Sequence, residues 1–285
     1  MTVRRLVWAA VAAALLIAAP ASAQQRPLVT EDPEVIGAGL ILLEGGFDMS
    51  RDLLFPASGL QGNLLRAPTL GVSIGISSIA ELQLDGGLYN RLTVKQRGIG
   101  PAPLAGQLNF TGDSTHAVED IVLATKIRIV GETAGHPAFG VRFATKLPNA
   151  SNESGLGLDT TDFHAQLLVG KTVRSVRFVG NFGLGILGDP TRGDNQNDVL
   201  EFGLSVARAV REGLEVVGEV NGRSNTRSGT PPVGTESRAT MRVGGRFTRG
   251  TVRLDAGILL GMTSRDPGFG FTAGATYVFK GFTVQ

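Results

Sequence analysis

The chain has no cysteine, only three histidines and two tyrosines in 285 residues, and its single tryptophan, Trp8, lies in the opening segment. Zero cysteine excludes disulfides and thiolate metal sites. So few histidines leave little material for proton transfer near neutral pH, and no His-Glu-x-x-His motif occurs. Beyond the first residues no stretch is continuously apolar over the ~20 positions that a membrane-spanning helix requires. Charge of one sign is scarce as well, with 27 Lys and Arg against 25 Asp and Glu. The chain is therefore expected to be a β-barrel in a membrane or a soluble protein, with no internal helical anchor.

The opening segment reads as an address. Arg4 and Arg5 form a basic start, Leu6 to Ala19 is apolar, and Ala21-Ser22-Ala23 is a small-x-small cleavage site, so a signal peptide over 1–23 is expected. An anchor helix is the alternative, but the apolar run is short and no stop-transfer pattern follows. Removing 1–23 takes away two arginines and leaves 25 basic residues against 25 acidic. A nucleic-acid partner, which needs a clustered basic surface, is not expected.

What the chain does have is glycine, 40 residues spread along its length, and strict alternation. Leu70, Val72, Ile74 and Ile76 are separated by Gly71, Ser73 and Gly75; Leu82, Leu84, Leu88 and Leu92 interleave with Glu81, Gln83, Asp85 and Arg91. Successive strand residues face opposite sides, so one face is oily and the other charged. Unpaired charges are costly to bury in a dry core, whereas an oil-facing exterior and a wet interior accommodate both faces. The same period continues to the C-terminus and predicts twelve strands: 37–49, 68–77, 80–95, 118–130, 138–148, 161–171, 175–187, 199–208, 214–224, 238–248, 251–262 and 268–280. Connections after odd strands are about 18, 22, 12, 11 and 13 residues and those after even strands about 2, 7, 3, 5 and 2, the rhythm of exterior loops and periplasmic turns. The expected fold is an all-β, antiparallel, up-and-down transmembrane barrel over 37–285, with 24–36 as an N-terminal periplasmic segment. A β-sandwich with one solvated face shares the alternation and is the alternative.

In a barrel the polar faces line the lumen. The candidates are Glu81, Asp85, Arg91, Lys126, Arg128, Arg142, Asp162, His164, Glu215, Glu219, Arg238, Arg242 and Arg246. Acids dominate the first and third strands and bases the fourth, fifth and tenth, which would put a transverse field across a pore; the same charges could instead pair and brace a narrow barrel. Arg238, Arg242 and Arg246 form the sharpest cluster, facing Glu215 and Glu219. Asp162, His164 and Gln166 share a face and could orient an imidazole, but no serine stands beside His164 in local sequence. No catalytic group, cofactor or metal is expected. The run Asp189 to Asp198 has oxygen ligands for Ca²⁺ without an EF-hand register, and a polar surface loop is the simpler reading.

Arg26-Pro-Leu-Val-Thr-Glu-Asp-Pro33, Gly37-Ala-Gly39 and Leu43-Glu44-Gly-Gly46 resemble the opening of a bacterial outer-membrane transporter family named for the meta-pathway of phenol degradation. The matching positions are Pro27, Leu28, Thr30, Asp32, Gly37, Gly39, Leu43, Glu44 and Gly46. The resemblance implies an outer-membrane channel for small molecules, aromatic or hydrophobic compounds among them, with those positions forming a plug or a strand entry. The partners expected of such a barrel are outer-membrane lipid and lipopolysaccharide, the barrel-assembly machinery and a small-molecule solute. A barrel enzyme acting on lipid or lipopolysaccharide, and a structural or adhesive barrel, are the other expectations.

Overall fold

The computed structural model describes residues 26–284; the expected signal peptide, 1–23, lies outside the described residues. The strands are β1 (Leu40–Phe55), β2 (Leu60–Gly75), β3 (Ala80–Gly87), β4 (Asn90–Gln96), β5 (Ser114–Ala117), β6 (Ile121–Val130), β7 (Ala138–Leu147), β8 (Asp162–Val173), β9 (Val176–Gly188), β10 (Gln196–Arg211), β11 (Leu214–Asn225), β12 (Arg238–Arg249), β13 (Val252–Gly261) and β14 (Phe269–Lys280). Each pairs antiparallel with its neighbours, and β1 pairs with both β14 and β2, so the ring closes; among the described strands the short β5 alone pairs on one side only, with β4. β3 and β4 pair with successive halves of β2, and β6 and β5 pair with β3 and β4 in turn. Each of these two pairs occupies one wall position, which makes the barrel twelve-stranded.

The polarity of the wall is that of a transmembrane barrel. In β3, Glu81 and Gln83 are buried while Leu82 and Leu84 are exposed. Around the ring Phe143, Phe182, Leu204 and Leu254 are more than half exposed on the outside. In water so continuous an apolar band would be a liability; in hydrocarbon it is the favourable surface.

Two expectations are corrected. The connection expected over 50–67 is mostly strand: β1 runs on to Phe55 and β2 begins at Leu60, leaving only 56–59 as the turn. Register shifts at Gly46/Asp48 and Ser50/Leu53, with Asp52 in a left-handed conformation, break the period-two pattern there. Arg91 is the second correction: it pairs with outward Leu65 and is exposed, whereas Leu92, expected among the outward leucines, is fully buried beside Leu60 and Leu64. Pairing stops at Thr69↔Gly87 and resumes at Arg66↔Asn90, and both Thr69 and Asn90 are buried. The intervening Ala67-Pro68 and Leu88-Tyr89 hold to each other only through Ala67 N–H to the Tyr89 carbonyl and Leu88 N–H to the Pro68 carbonyl. A proline has no N–H for a regular ladder, and the extra residue on each strand turns every later side chain to the opposite face.

The longest connections, 97–113, 148–161 and 226–237, share one end of the barrel. There Leu108, Phe110 and Leu156 pack on the Leu60, Leu64 and Leu92 cluster. Leu104 N–H bonds the Ala57 carbonyl (2.8 Å), and the Ser58 hydroxyl bonds the Gly155 carbonyl (2.8 Å).

Candidate functional site: the plugged lumen

Residues 26–36 run inside the ring of strands. Backbone groups that no strand could satisfy are taken up by side chains of the inner wall. The Glu219 carboxylate accepts from Val29 N–H (3.0 Å) and Thr30 N–H (2.8 Å), Asn181 exchanges bonds with Glu31 N–H and carbonyl (2.7 Å each), and Glu81 accepts from Ile36 N–H (2.7 Å). The segment is thereby tied to β11, β9 and β3, across the whole width of the barrel.

Its charges match the two walls. Arg26 lies by Asp255 (3.5 Å) and Asp48 (3.8 Å), on β13 and β1. Glu31 meets Arg142 (3.1 Å) and Lys126 (3.4 Å), Asp32 takes a two-point grip from Arg177 (2.7 and 2.9 Å), and Glu34 meets Arg128 (2.5 Å). The transverse field expected from the wall thus has a resident occupant, a short chain basic at its start and acidic at its end. Lys126 is fully buried and is shared between Glu31 and Glu81, the latter at 3.0 Å.

Glycines make room for it. A Cβ at Gly244 or Gly257 would come within 2.9 or 3.3 Å of Pro27, one at Gly140 or Gly170 within 3.3 or 2.9 Å of Pro33, and one at Gly203 within 2.9 Å of the Thr30 hydroxyl. All five face inward, so part of the chain's glycine serves close approach of the plug to the wall.

The remaining candidates fall into place around it. Asp85 lies 3.8 Å from Arg142, beside a cavity of about 380 Å³ between the plug and the wall that Glu44, Asp48, Arg66 and Arg242 also line. Arg242 pairs with Glu219 (3.3 Å), Arg246 donates to the Arg26 carbonyl (2.7 Å), and Glu215 stands 4.0 Å from both Arg246 and Arg253. Arg238 donates to the Leu54 carbonyl (3.5 Å), its one hydrogen bond among the described residues. Arg66 bridges Asp48 (3.2 Å) and Glu119.

His164 is not oriented by Asp162. Its Nδ1 lies 2.8 Å from Glu201, which also accepts from Gln166 (2.9 Å), while Asp162 bonds Lys146 (2.9 Å) and Gly188 N–H (2.9 Å). Gly71-Val72-Ser73-Ile74-Gly75 has the letters of a nucleophile motif, but Ser73 sits mid-strand between Leu42 and Gln83 instead of on a strand-to-helix turn. Asp189 accepts from Thr191 N–H and hydroxyl and closes its loop, and no cluster of three or more metal-ligating side chains exists among the described residues. Arg26, Glu31, Asp32 and Glu34 were absent from the expected lining. The signal for them was available: a charged, doubly proline-bearing run placed just before a barrel whose inward faces carry unlike charge and unneeded glycine.

A closed antiparallel barrel, oily outside and charged within, crossed by its own N-terminal segment, defines the class. Among solved structures the chain is similar to an outer membrane channel from Pseudomonas putida F1, with 13% identity, 87% of this chain and 98% of that one covered and a TM-score of 0.64. It is also matched, at a TM-score of 0.49 in each case, by the NanC porin (8% identity; 83% and 98% covered) and by the β domain of the Bordetella autotransporter BrkA (13% identity; 86% and 100% covered). At these identities the likeness is one of fold. No family model and no curated protein matches the chain.

Proposed function

We propose that the protein is an outer-membrane channel for small molecules, closed at rest by residues 26–36. The observation that carries this reading is the plug's own charge pattern, complementary to opposite walls of a barrel whose outside is apolar. A wall braced by its own ion pairs would need no such segment. The plug is held by side-chain hydrogen bonds and ion pairs and by no strand pairing, so it can leave a wall whose ladder closes without it. Passage of aromatic or other small hydrophobic compounds is the narrower reading, supported by the resemblance of the N-terminal motif; Pro27, Thr30 and Asp32 of that motif are plug residues.

The test is solute entry into proteoliposomes made with the chain lacking 24–36. Swelling above that of empty vesicles in a small sugar or an aromatic solute is expected, and the rates rank the two classes. No swelling with either, from protein shown to be folded by heat-modifiable gel migration, contradicts the channel reading.

A further inference from the structure

Arg223, at the end of β11, and Arg238, at the start of β12, are direct partners across the strand pair. Each lies four residues along its strand from a residue that holds the plug or its partner, Glu219 and Arg242, and so shares its face; both face the lumen at the end that carries the long connections. Like charges placed opposite each other on one face of a sheet destabilise it. Among the described residues no carboxylate pairs directly with either guanidinium; Glu236, Asp266, Asp162 and Glu201 act on them only at longer range. Arg223 donates from Nε to the Glu236 carbonyl (2.9 Å) and from one terminal nitrogen to the Gly234 carbonyl (2.6 Å). Arg238 has the single long bond to the Leu54 carbonyl, and its buried Nε has no partner. Among the described residues neither guanidinium has a carboxylate within 4.0 Å.

The acids nearby attract the pair at longer range but have hydrogen-bond or ion-pair partners of their own. Asp266 accepts from the N–H groups of Ala239 and Thr263 (3.1 Å each) and from the Thr263 hydroxyl (2.6 Å), and Glu201 is held by His164 and Gln166. Glu236 accepts from Gly234 N–H (2.9 Å) and has Arg265 at 3.9 Å, and Asp162 belongs to Lys146. Each guanidinium carries five donors in a rigid fork that fits the two oxygens of a carboxylate or phosphate, and both residues keep partial exposure to the lumen. A buried donor without a partner is rare enough in folded proteins to need an explanation. An arriving anion supplies one here.

We propose that Arg223 and Arg238 form an oxyanion-binding site at the long-loop mouth, which takes the carboxylate or phosphate group of a small solute. As a selectivity element it rests on the channel reading; as a binding site it can be tested without any conduction. The experiment is a fluorine NMR titration of fluorobenzoate into the full-length protein in detergent, with inorganic phosphate and lipopolysaccharide as competitors. Saturable binding is expected, displaced by phosphate. Arg223→Gln and Arg238→Gln should each weaken it about tenfold or more, since hydrogen bonds to a charged group are the ones lost. Arg211→Gln, at the opposite end of the barrel, should leave it unchanged. Arg238→Lys keeps the charge without the fork and should fall between; if the glutamine variants fail to fold, as read by heat-modifiable migration, this variant and Arg223→Lys carry the comparison. Absence of saturable binding in the unaltered protein, binding equal in all variants, or displacement by lipopolysaccharide but not by phosphate overturns the proposal. Since the protein is in detergent, such a failure is independent of whether proteoliposomes swell.

Discussion

Lys126 has no exposed surface and holds two carboxylates, one from the wall, Glu81, and one from the plug, Glu31. Taking three charges out of water is costly, and only their mutual geometry offsets it. Lys126→Ala would leave two buried acids without that cation, and a loss of about 3–5 kcal/mol in denaturant unfolding is expected. A loss below about 1 kcal/mol, the scale of an exposed pair, contradicts the burial of the cluster. Glu132, in the connection 131–137, is a second junction, pairing with Arg177 (2.5 Å), which also grips Asp32 of the plug. Burial pushes the Glu132 carboxyl up, but bonds from Thr172 N–H and hydroxyl, with Arg177 and Lys171, outweigh it and hold the group below its ordinary value. A carboxylate lowered in this way contributes stability that is complete above its unfolded pKa and disappears as pH falls through the folded one. Protection of the Thr172 amide from hydrogen exchange should therefore hold steady from pH 7 to about 5 and weaken only below about pH 4, and Glu132→Gln should abolish that dependence. Loss of protection already between pH 7 and 6 contradicts it.

Among the strands the facing assignment is the claim most open to test. Leu84 is exposed on the outer face of β3 and Asp85 lines the inner cavity. Leu84→Arg should cost about 2–4 kcal/mol in a lipid-reconstituted unfolding measurement, and Asp85→Arg far less. Equal costs would mean the face is misassigned. Beyond the irregularity at Pro68 the sides exchange, so Leu92→Arg should be severe because it puts a charge among Leu60 and Leu64, and Arg91→Leu, on the outer face, should be mild. Most of this level was legible in the sequence, since a strand with one oily face has only one way to sit in a wall; the bounds of β7, β9, β11 and β13 fall within a residue or so of those expected. The face change was not, because alternation counted through Leu88-Tyr89 continues in the letters while the backbone inserts a residue. Nor was the β1–β2 extension, where two register shifts hide the period. Glu81, Lys126, Arg142 and Glu219 take their partners partly from a segment with no period at all. Residues 26–36 form no strand, and beside the resemblance that implied a plug or strand entry only their charge order and prolines marked a fit to walls that exist after folding.

At the scale of the molecule, wall and plug form one electrostatic object. The barrel closes through β1 with β14, so the wall needs nothing from residues 26–36 to complete its hydrogen bonding. What the segment completes is the charge balance of the interior, and it occupies the cross-section through which a solute would pass. The single-channel conductance of the full-length chain, compared in planar bilayers with that of the chain lacking 24–36, tests this most directly. Full-length protein should be silent or show rare brief openings, and the shortened chain should give steady steps of uniform size. Equal conductance from the two chains, or none from a correctly folded shortened chain, would contradict the account of a lumen held shut by its own N-terminal segment.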